Sequence, residues 1–336
     1  MRKGKGMSKQ GAYEASVTSA TAKKTAKKSG WWKVVKSHAR RLSLEFLNIF
    51  INHNRFYLLL GSVNKRVHLI KSVFLVYPAT EEYALAYVYK SRIPKLRWTP
   101  WPCGLLLQNG KLTVMFCISA SNGHFRAEKN IANLYRIVGR MEELRQMLGA
   151  ESKTFAGILP GILRRKGVIE QAHEADLTAN AVTQAIAEVR RKEQLSSTVP
   201  IVVLGAKGFI GEKVVACLRQ ADDLVYGLDK VDGHDQNDWP KHLRKQMVII
   251  VNITLKDELA NYIDAICPGS VVLNEVYPEP TEQTLERLAQ KTCLCYHIVG
   301  VDAIAMPPFP RAYRGAIPCC AAWASSKMRV VIRRLN

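Results

Sequence analysis

The spacing of apolar residues changes along the chain, and its first half mixes two patterns. Short apolar runs at Ser72–Tyr77, Lys111–Ser119 and Phe155–Leu159 predict buried strands. Between Asn130 and Leu148 the apolar residues recur at helical spacing, which predicts one amphipathic helix. The first half is therefore predicted to be a mixed α/β region.

The second half repeats a single pattern of apolar strands separated by helical segments. A helix is predicted from about Leu177 to Gln194. After it come four runs that are apolar throughout, at Pro200–Leu204, Leu224–Leu228, Met247–Ile253 and Val271–Asn274. Strands without a polar face, alternating with helices, predict a parallel sheet covered on both sides. We expect a Rossmann-like, doubly wound fold here.

A glycine-rich turn follows the first of these strands and leads into an apolar helix. Its spacing is G-x-x-G-x-x-G, over Gly205, Ala206, Lys207, Gly208, Phe209, Ile210 and Gly211. Glycines at this position permit a tight turn and allow backbone N–H groups to approach a pyrophosphate at the helix N-terminus. The turn predicts a dinucleotide site, and a tight turn without a ligand is the alternative.

Other residues at the ends of the predicted strands fit the same ligand. Asp229 ends the next strand, where a carboxylate accepts hydrogen bonds from the adenosine ribose. Lys207 and Lys230 are cations that could instead meet a 2′-phosphate, so both NADH and NADPH remain candidates. Asn252 and Thr254 stand at the end of the third strand, where the nicotinamide half usually passes.

The length of 336 residues favours two domains. We predict a disordered basic tail over 1–30, a mixed α/β substrate domain over 31–195 and a dinucleotide-binding domain over 196–306. The last segment, 307–336, is predicted to form a helix from Cys319 to Leu335 that packs back on the first domain. The segment Met306–Pro310 would connect the two domains.

The positive charge is concentrated near the N-terminus. Residues 1–100 hold 20 Lys/Arg and 4 Asp/Glu, so they carry +16 of the net +21. Such a field attracts an anionic partner, which could be nucleic acid, an anionic membrane, or an acidic or phosphorylated substrate carrier. No zinc-finger or RNA-binding motif is present, so nucleic acid is the least favoured of the three.

The segment from Trp31 to Phe50 combines basic residues with an apolar stripe. It predicts a helix that either packs on its own domain or lies on a membrane surface. No run of 18 apolar residues is free of charge, so no transmembrane helix is predicted. The eight cysteines form no C-x-x-C pair, which indicates a reducing, intracellular setting. Cys293, Cys295 and His297 lack a fourth ligand, and no metal site is predicted.

Several segments, taken in order, resemble the long-chain fatty acyl-(acyl-carrier-protein) reductases. They are the glycine turn together with Gly110–Ser119, Tyr135–Leu159, Val271–Pro280, Tyr296–Gly300 and Gly315–Trp323. The resemblance implies an N-terminal substrate domain and a C-terminal Rossmann domain. It also implies reduction of a fatty acyl thioester, carried by acyl carrier protein or coenzyme A, to an aldehyde. NADPH or NADH would supply the hydride.

The resemblance places a reactive cysteine at Cys320 and a histidine at His297. In this interpretation Cys320 takes the acyl group, and His297 donates a proton or positions the thioester carbonyl. A buried core cysteine and a structural histidine are the alternatives. The segment from Glu174 to Asn180 departs from the family pattern. Two other functions therefore stay open, a dehydrogenase of a small amino-acid or pterin-like substrate and a non-catalytic dinucleotide-binding protein.

Overall fold

The computed structural model describes residues 35, 37–78, 84–85, 87–230, 238–254, 258–309, 315–323 and 328–336. The predicted basic tail over residues 1–30 lies outside the described residues. The described strands form two sheets, each packed against helices. A helix over residues 37–50, α1, precedes both sheets.

The first sheet contains five strands in the order β10-β2-β3-β1-β4. Strand β1 is parallel to β3 and β4, whereas β2 is antiparallel to both of its neighbours. The strands are β1 (Ile70–Val76), β2 (Trp101–Gln108), β3 (Lys111–Cys117), β4 (Ser152–Phe155) and β10 (Ile304–Met306). The helices of this half are α2 (Asn54–Val67), α3 (Ile93–Leu96), α4 (Asn122–Arg126), α5 (Ile131–Leu148) and α6 (Leu159–Arg165).

The second sheet contains six strands in the order β11-β9-β8-β7-β5-β6. Five are parallel, and β11 is antiparallel to β9. The elements are β5 (Ile201–Leu204), β6 (Val225–Leu228), β7 (Ile249–Asn252), β8 (Val271–Asn274), β9 (Leu294–Val301) and β11 (Val330–Arg334), with helices α7 (His173–Lys192), α8 (Gly211–Gln220) and α9 (Glu282–Gln290). The predicted fold class is confirmed.

Alternate residues of the second sheet enter two different cores. On β5, Ile201 and Val203 belong to a core between the two sheets, whereas Val202 and Leu204 belong to a core on the outer face. This double burial is why the strands are apolar at every position. The core between the sheets also takes Phe74 from β1, so both halves of the chain share it.

Helix α7 lies in this shared core. It contributes mainly small side chains, which allow close packing on both sides, and they include Ala179, Ala181, Val182 and Ala185. A third core, on the far side of the first sheet, holds α2, α5 and the alternate residues of β1 and β3.

The predicted C-terminal helix from Cys319 to Leu335 is wrong for the described residues of that segment. Cys319–Ala321 form a short 3-10 helix, and Val330–Arg334 form β11 at the edge of the second sheet. The alanine-rich composition suggested a helix, but the β-branched residues at 330–332 pair with the open edge of β9. The 3-10 helix contacts β4 and α7, so this part does return to the first half.

Two predicted boundaries also change. The range 196–306, predicted for the dinucleotide-binding domain, includes β10, which pairs with β2 of the first sheet. The run Phe155–Leu159 is mostly not a strand, because β4 ends at Phe155 and α6 begins at Leu159 with Pro160 in its first turn. The chain therefore crosses between the sheets more than once.

Candidate functional site between the two sheets

The glycine turn joins β5 to α8, and in it the backbone of Gly211 lies close against that of Gly205. Gly205 has a φ of +86°, which glycine adopts without strain. A Cβ on Gly211 would lie 2.0 Å from the carbonyl oxygen of Gly205, so no other residue fits there. The sequence pattern thus produces a turn in which the first residues of the helix lie directly against the strand.

This geometry places the positive end of α8 at the glycine turn. The first N–H groups of a helix have no acceptor within the helix, and they carry its positive partial charge. At Gly208 an added Cβ would meet only the Gly205 carbonyl oxygen within 4 Å, at 3.1 Å, so the outer side of the turn is open. The missing side chains form a cradle that a pyrophosphate would fit.

The other residues of the turn hold it in place. Ala206 donates its backbone N–H to the Leu228 carbonyl at 3.2 Å. Ala206 and Ile210 pack against the shared core. Phe209 lies over Gly161 on α6, since a Cβ on Gly161 would be 3.4 Å from the Phe209 ring. The turn is thereby attached to the first sheet's half of the protein.

Asp229 stands at the end of β6, as predicted, and already contacts the glycine turn. Its Oδ2 accepts a hydrogen bond of 2.9 Å from the backbone N–H of Lys207. The ammonium of Lys230 pairs with Glu258 at 2.6 Å. The Asp229 carboxylate is therefore held beside the glycine turn. The Lys230 ammonium instead forms its ion pair with Glu258.

A chain of hydrogen bonds runs from the carboxyl ends of β7 and β8 to His297 in the middle of β9. Thr254 Oγ1 donates to Asn252 Oδ1 at 2.6 Å, and Asn252 Nδ2 donates to Asn274 Oδ1 at 2.7 Å. Asn274 Nδ2 in turn lies 3.1 Å from Nδ1 of His297. The structure thus brings three predicted residues into one network, through Asn274, which the sequence analysis did not select.

His297 is buried within this network. An amide NH₂ facing Nδ1 makes that nitrogen the acceptor, which leaves the ring proton on Nε2. Nε2 lies 3.8 Å from Glu279, which is also paired with Arg333. Burial lowers the pKa of His297, and the cation of Arg333 acts in the same direction. The imidazole is therefore neutral at neutral pH, and its contacts are those of a positioning or structural group.

A second turn, from β4 to α6, binds three side chains with its backbone N–H groups. Phe155 donates to Glu174 Oε1 at 2.7 Å, and Ile158 donates to the hydroxyl of Tyr77 at 3.0 Å. Between them, the N–H of Gly157 donates to the sulfur of Cys320. This turn therefore gathers Tyr77, Glu174 and Cys320, which are distant in sequence, at one point.

The thiol of Cys320 is partly buried and surrounded by acidic groups. Burial raises its pKa to about 12, and the nearby carboxyls of Glu174 and Glu275 act in the same direction. The neighbouring Cys319 is buried, and its pKa is raised for the same reasons. A nucleophilic cysteine ordinarily has a lowered pKa, so Cys320 is not activated in this arrangement. Its role as a nucleophile stays a prediction.

Two carboxyls at this point titrate near neutral pH. Burial raises the pKa of Glu174 to about 7. Burial also raises the pKa of Glu275, which directly follows β8, to about 8. The backbone N–H of Glu275 donates to the Asn252 carbonyl at 3.0 Å, so Glu275 joins the strand-end network to the Cys320 cluster. Such groups can hold and release a proton at neutral pH.

The glycine turn and the Cys320 cluster are connected through the same two helices, α6 and α7. Phe209 contacts α6, whose first turn follows the Gly157 loop. Lys213 on α8 also pairs with Asp176 on α7 at 2.8 Å, two residues beyond Glu174. His297 and Cys320 have separate partners, and Glu275 lies between their two groups.

Sequence analysis selected neither acid nor Tyr77. Glu275 had a usable signal, because an acid directly after an apolar parallel strand lies at the edge where ligands bind. Glu174 and Tyr77 had none, since their partners Phe155 and Ile158 become neighbours only in the folded chain. Among the described residues no group of three or more metal-ligating side chains occurs. Cys295 is buried, which raises its pKa to about 12.

No protein-family model matches the sequence, and no curated protein matches it significantly. Similar solved structures include a bifunctional 5,10-methylenetetrahydrofolate dehydrogenase/cyclohydrolase from Thermoplasma acidophilum, with 14% identity and a TM-score of 0.38 over 73% of this chain and 87% of that chain. An L-tryptophan dehydrogenase from Nostoc punctiforme is also similar, with 14% identity and a TM-score of 0.29 over 67% and 69%. TM-scores this low carry no argument about activity. Any proposal of an activity must therefore be argued from the residues of the candidate site.

Proposed function

We propose that the protein is an NAD(P)-dependent oxidoreductase whose substrate binds between the two sheets, beside Cys320. The observation that carries this proposal is the turn at Gly205–Gly211. Its glycines allow a close backbone approach, and it lies at the N-terminus of α8 beside Asp229. The dinucleotide would supply or accept a hydride. Its pyrophosphate would be bound by the turn, and its adenosine ribose by the Asp229 carboxylate.

Within this proposal the chain's own residues position the substrate and move a proton. Glu275 and Glu174 hold protons near neutral pH, so either can exchange one with a substrate oxygen or nitrogen as its charge changes. Asn274 orients His297 and Asn252 at the edge of the sheet. The high pKa of the Cys320 thiol favours direct hydride transfer to a small substrate over covalent catalysis.

Binding of NADH and NADPH, measured by isothermal titration calorimetry, tests the dinucleotide site. Gly208→Ala should fold and should weaken binding about tenfold or more, because the methyl group stands where the pyrophosphate approaches the backbone. The matched control is Gly123→Ala, where an added Cβ meets no atom within 4 Å. If the wild-type chain binds neither dinucleotide, the proposal is wrong.

Replacement of Asp229 separates the two cofactors. A carboxylate at the ribose favours NADH and repels a 2′-phosphate. Asp229→Ser should therefore weaken NADH binding and strengthen NADPH binding. If the ratio of NADH to NADPH affinity does not change, Asp229 only accepts the hydrogen bond from Lys207 and does not contact the ribose.

We keep acyl thioester reduction as a second candidate, because Cys320 lies in the proposed substrate site with a backbone N–H on its sulfur. In this reaction the Cys320 thiolate would attack the thioester carbonyl carbon, and the carrier thiol would leave with a proton. Hydride addition would then release an aldehyde and restore the thiolate. The +16 region would speed encounter with acyl carrier protein or acyl-CoA.

Mass spectrometry of the intact protein after incubation with a long-chain acyl-CoA distinguishes the two candidates. Covalent catalysis predicts an acyl adduct that is lost in Cys320→Ala. Direct hydride transfer predicts no adduct, with Cys320→Ala retaining turnover of its small substrate. The matched control is Cys217→Ala, which removes another half-buried thiol, on α8.

A further inference from the structure

Helix α1 carries large apolar side chains on two opposite faces. Leu44 is 4% exposed and belongs to the shared core, and Leu47 packs against the same core. On the other face four side chains are between 51% and 61% exposed, namely Leu42, Phe46, Ile49 and Phe50. The helix is therefore anchored by one face and leaves a second apolar face uncovered.

Helix α2 repeats this arrangement after a short turn over residues 51–53. Its inner face holds Tyr57, Gly61 and Asn64, and a Cβ on Gly61 would lie 1.9 Å from the Met147 carbonyl oxygen of α5. The backbone of α2 thus lies directly on α5. Its outer side exposes four more large side chains, each at least 51% exposed, namely Leu58, Leu59, Val63 and Val67.

We call these eight exposed side chains the hairpin face. A surface helix of a globular protein ordinarily has one apolar stripe and a polar opposite side. Eight such side chains on two consecutive helices exceed the scattered single exposures that are ordinary on a soluble surface, and groups of this kind often meet a partner. Residues 1–30 contain few large apolar side chains, so their composition does not suit them to cover it.

The charged residues of the segment that carries the hairpin face are mostly basic. Residues 37–78 hold six Lys/Arg, and Glu45 is their single acid. Glu45 is paired with Arg92 on its inner side. Arg55, Lys65 and Arg66 on α2 are exposed and flank the apolar side chains. A second copy of the chain would place these cations against each other, which disfavours a symmetric dimer through this face.

We propose that the hairpin face docks on an anionic phospholipid bilayer. Aliphatic and phenyl side chains bordered by Lys and Arg are the chemistry of a helix that lies in the membrane interface. The apolar groups would enter the level of the upper acyl chains, and the cations would meet lipid phosphates. Among the described residues no helix is long and apolar enough to cross a membrane, so the proposal concerns surface docking.

Co-sedimentation of the full chain with vesicles tests this proposal. We expect binding to phosphatidylcholine vesicles that contain about 30% phosphatidylserine, little binding to phosphatidylcholine alone, and weaker binding as salt is raised. Phe46→Gln/Phe50→Gln and Leu59→Gln/Val63→Gln should each lower the partition coefficient about tenfold. Because all four side chains are exposed, the variants should fold.

Matched control variants distinguish binding through the hairpin face from nonspecific binding to vesicles. Leu224→Gln changes a side chain that is 52% exposed in the second half of the chain, and it should leave binding unchanged. Lys65→Gln/Arg66→Gln should weaken binding, whereas Lys241→Gln/Lys245→Gln should have a smaller effect, although both pairs remove two exposed cations.

Three results would overturn the proposal. If the wild-type chain and the variants with Gln in place of apolar residues bind equally, the lipid affinity comes from cations elsewhere, including those of residues 1–30. No binding to anionic vesicles would leave an acidic protein as the favoured partner. A dimer in light scattering that Leu59→Gln/Val63→Gln converts to a monomer would assign the face to a second copy.

Discussion

Two strand-to-helix turns face each other between the sheets, and they use their backbone N–H groups differently. The turn from β5 to α8 closes through Gly205 and Gly211, and the N–H groups of Gly208 and Glu212 donate to backbone carbonyls of the turn. The turn from β4 to α6 donates to Glu174, to Cys320 and, through Ile158, to Tyr77. The first turn thus donates mainly to backbone carbonyls and, through Lys207, to Asp229, whereas the second donates to three side chains from distant parts of the chain.

This difference separates binding from proton chemistry. The cradle of the glycine turn is formed by its backbone, with the Asp229 carboxylate beside it, so its function depends on shape and on the helix dipole. The Gly157 turn fixes groups whose protonation changes near neutral pH, so its function depends on solution conditions. The predictions below separate the two turns, from the largest expected effect to the smallest.

Gly211→Ala should have the largest effect. Its Cβ would lie 2.0 Å from the Gly205 carbonyl oxygen, so strand and helix must move apart. We expect a loss of about 3 kcal/mol or more in the free energy of unfolding, together with loss of dinucleotide binding. Urea denaturation and calorimetry measure both. Gly139→Ala on the exposed side of α5 is the control, and it should stabilise the protein by up to about 1 kcal/mol.

Glu275→Gln should remove a pH dependence of stability. The carboxyl has a pKa of about 8 in the folded protein against an ordinary value of 4.5. As pH rises from 4.5 to 8, the unfolded chain ionises first, so the free energy of unfolding falls. At about pH 6.5 the amide variant should be more stable than wild type by about 2–3 kcal/mol, and at pH 4.5 nearly equal to it.

Denaturation curves across that pH range measure this effect. Glu174→Gln should act in the same direction over a narrower range, because the pKa of Glu174 is raised only to about 7. Glu286→Gln, an exposed acid on α9, should leave the profile of wild type unchanged. A profile that Glu275→Gln does not flatten would mean that Glu275 is hydrated in solution.

Tyr77→Phe should destabilise the Gly157 turn moderately. It removes the acceptor of the Ile158 N–H and leaves that group without its partner. We expect a loss of about 1–2 kcal/mol in the free energy of unfolding, with no change in dinucleotide affinity. Tyr135→Phe is the matched control, since its hydroxyl is exposed and donates over a longer distance of 3.3 Å. A loss of dinucleotide affinity in Tyr77→Phe would mean that the two turns are coupled.

The ion pair between Lys213 and Asp176 should have the smallest effect. It bridges α8 and α7 at 2.8 Å, and its side chains are 45% and 50% exposed. A double-mutant cycle with Lys213→Ala and Asp176→Ala should give a coupling of at most about 0.5 kcal/mol. A larger value would indicate that this contact, and not the shared core, sets the distance between the turns.

The sequence predicted the second sheet far better than the first. Strands such as Val271–Asn274 are buried on both faces, so their apolar runs identify them without knowledge of their neighbours. Strand β2 was missed because Pro102 and Gly104 interrupt it, and its bulge at that point is set by pairing with β3. The segment Val330–Arg334 was assigned to a helix because its partner β9 is distant in sequence.

The site was predicted where it depends on the backbone and missed where it depends on tertiary contacts. Glycine spacing after a strand has one geometric meaning, so the turn at Gly205 could be read directly. The cluster at Cys320 forms because β4, α7 and the 3-10 helix at Cys319–Ala321 meet. No local sequence pattern predicts that Glu174 accepts a hydrogen bond from the backbone N–H of Phe155.

The core between the two sheets has a consequence for how the protein unfolds. Phe74 of β1 and Ile201 of β5 pack into the same apolar cluster, with α7 between them. Neither half can melt alone without exposing to water the apolar surface that the other half needs. The two halves are therefore joined into one cooperative unit, and heating should produce a single calorimetric transition.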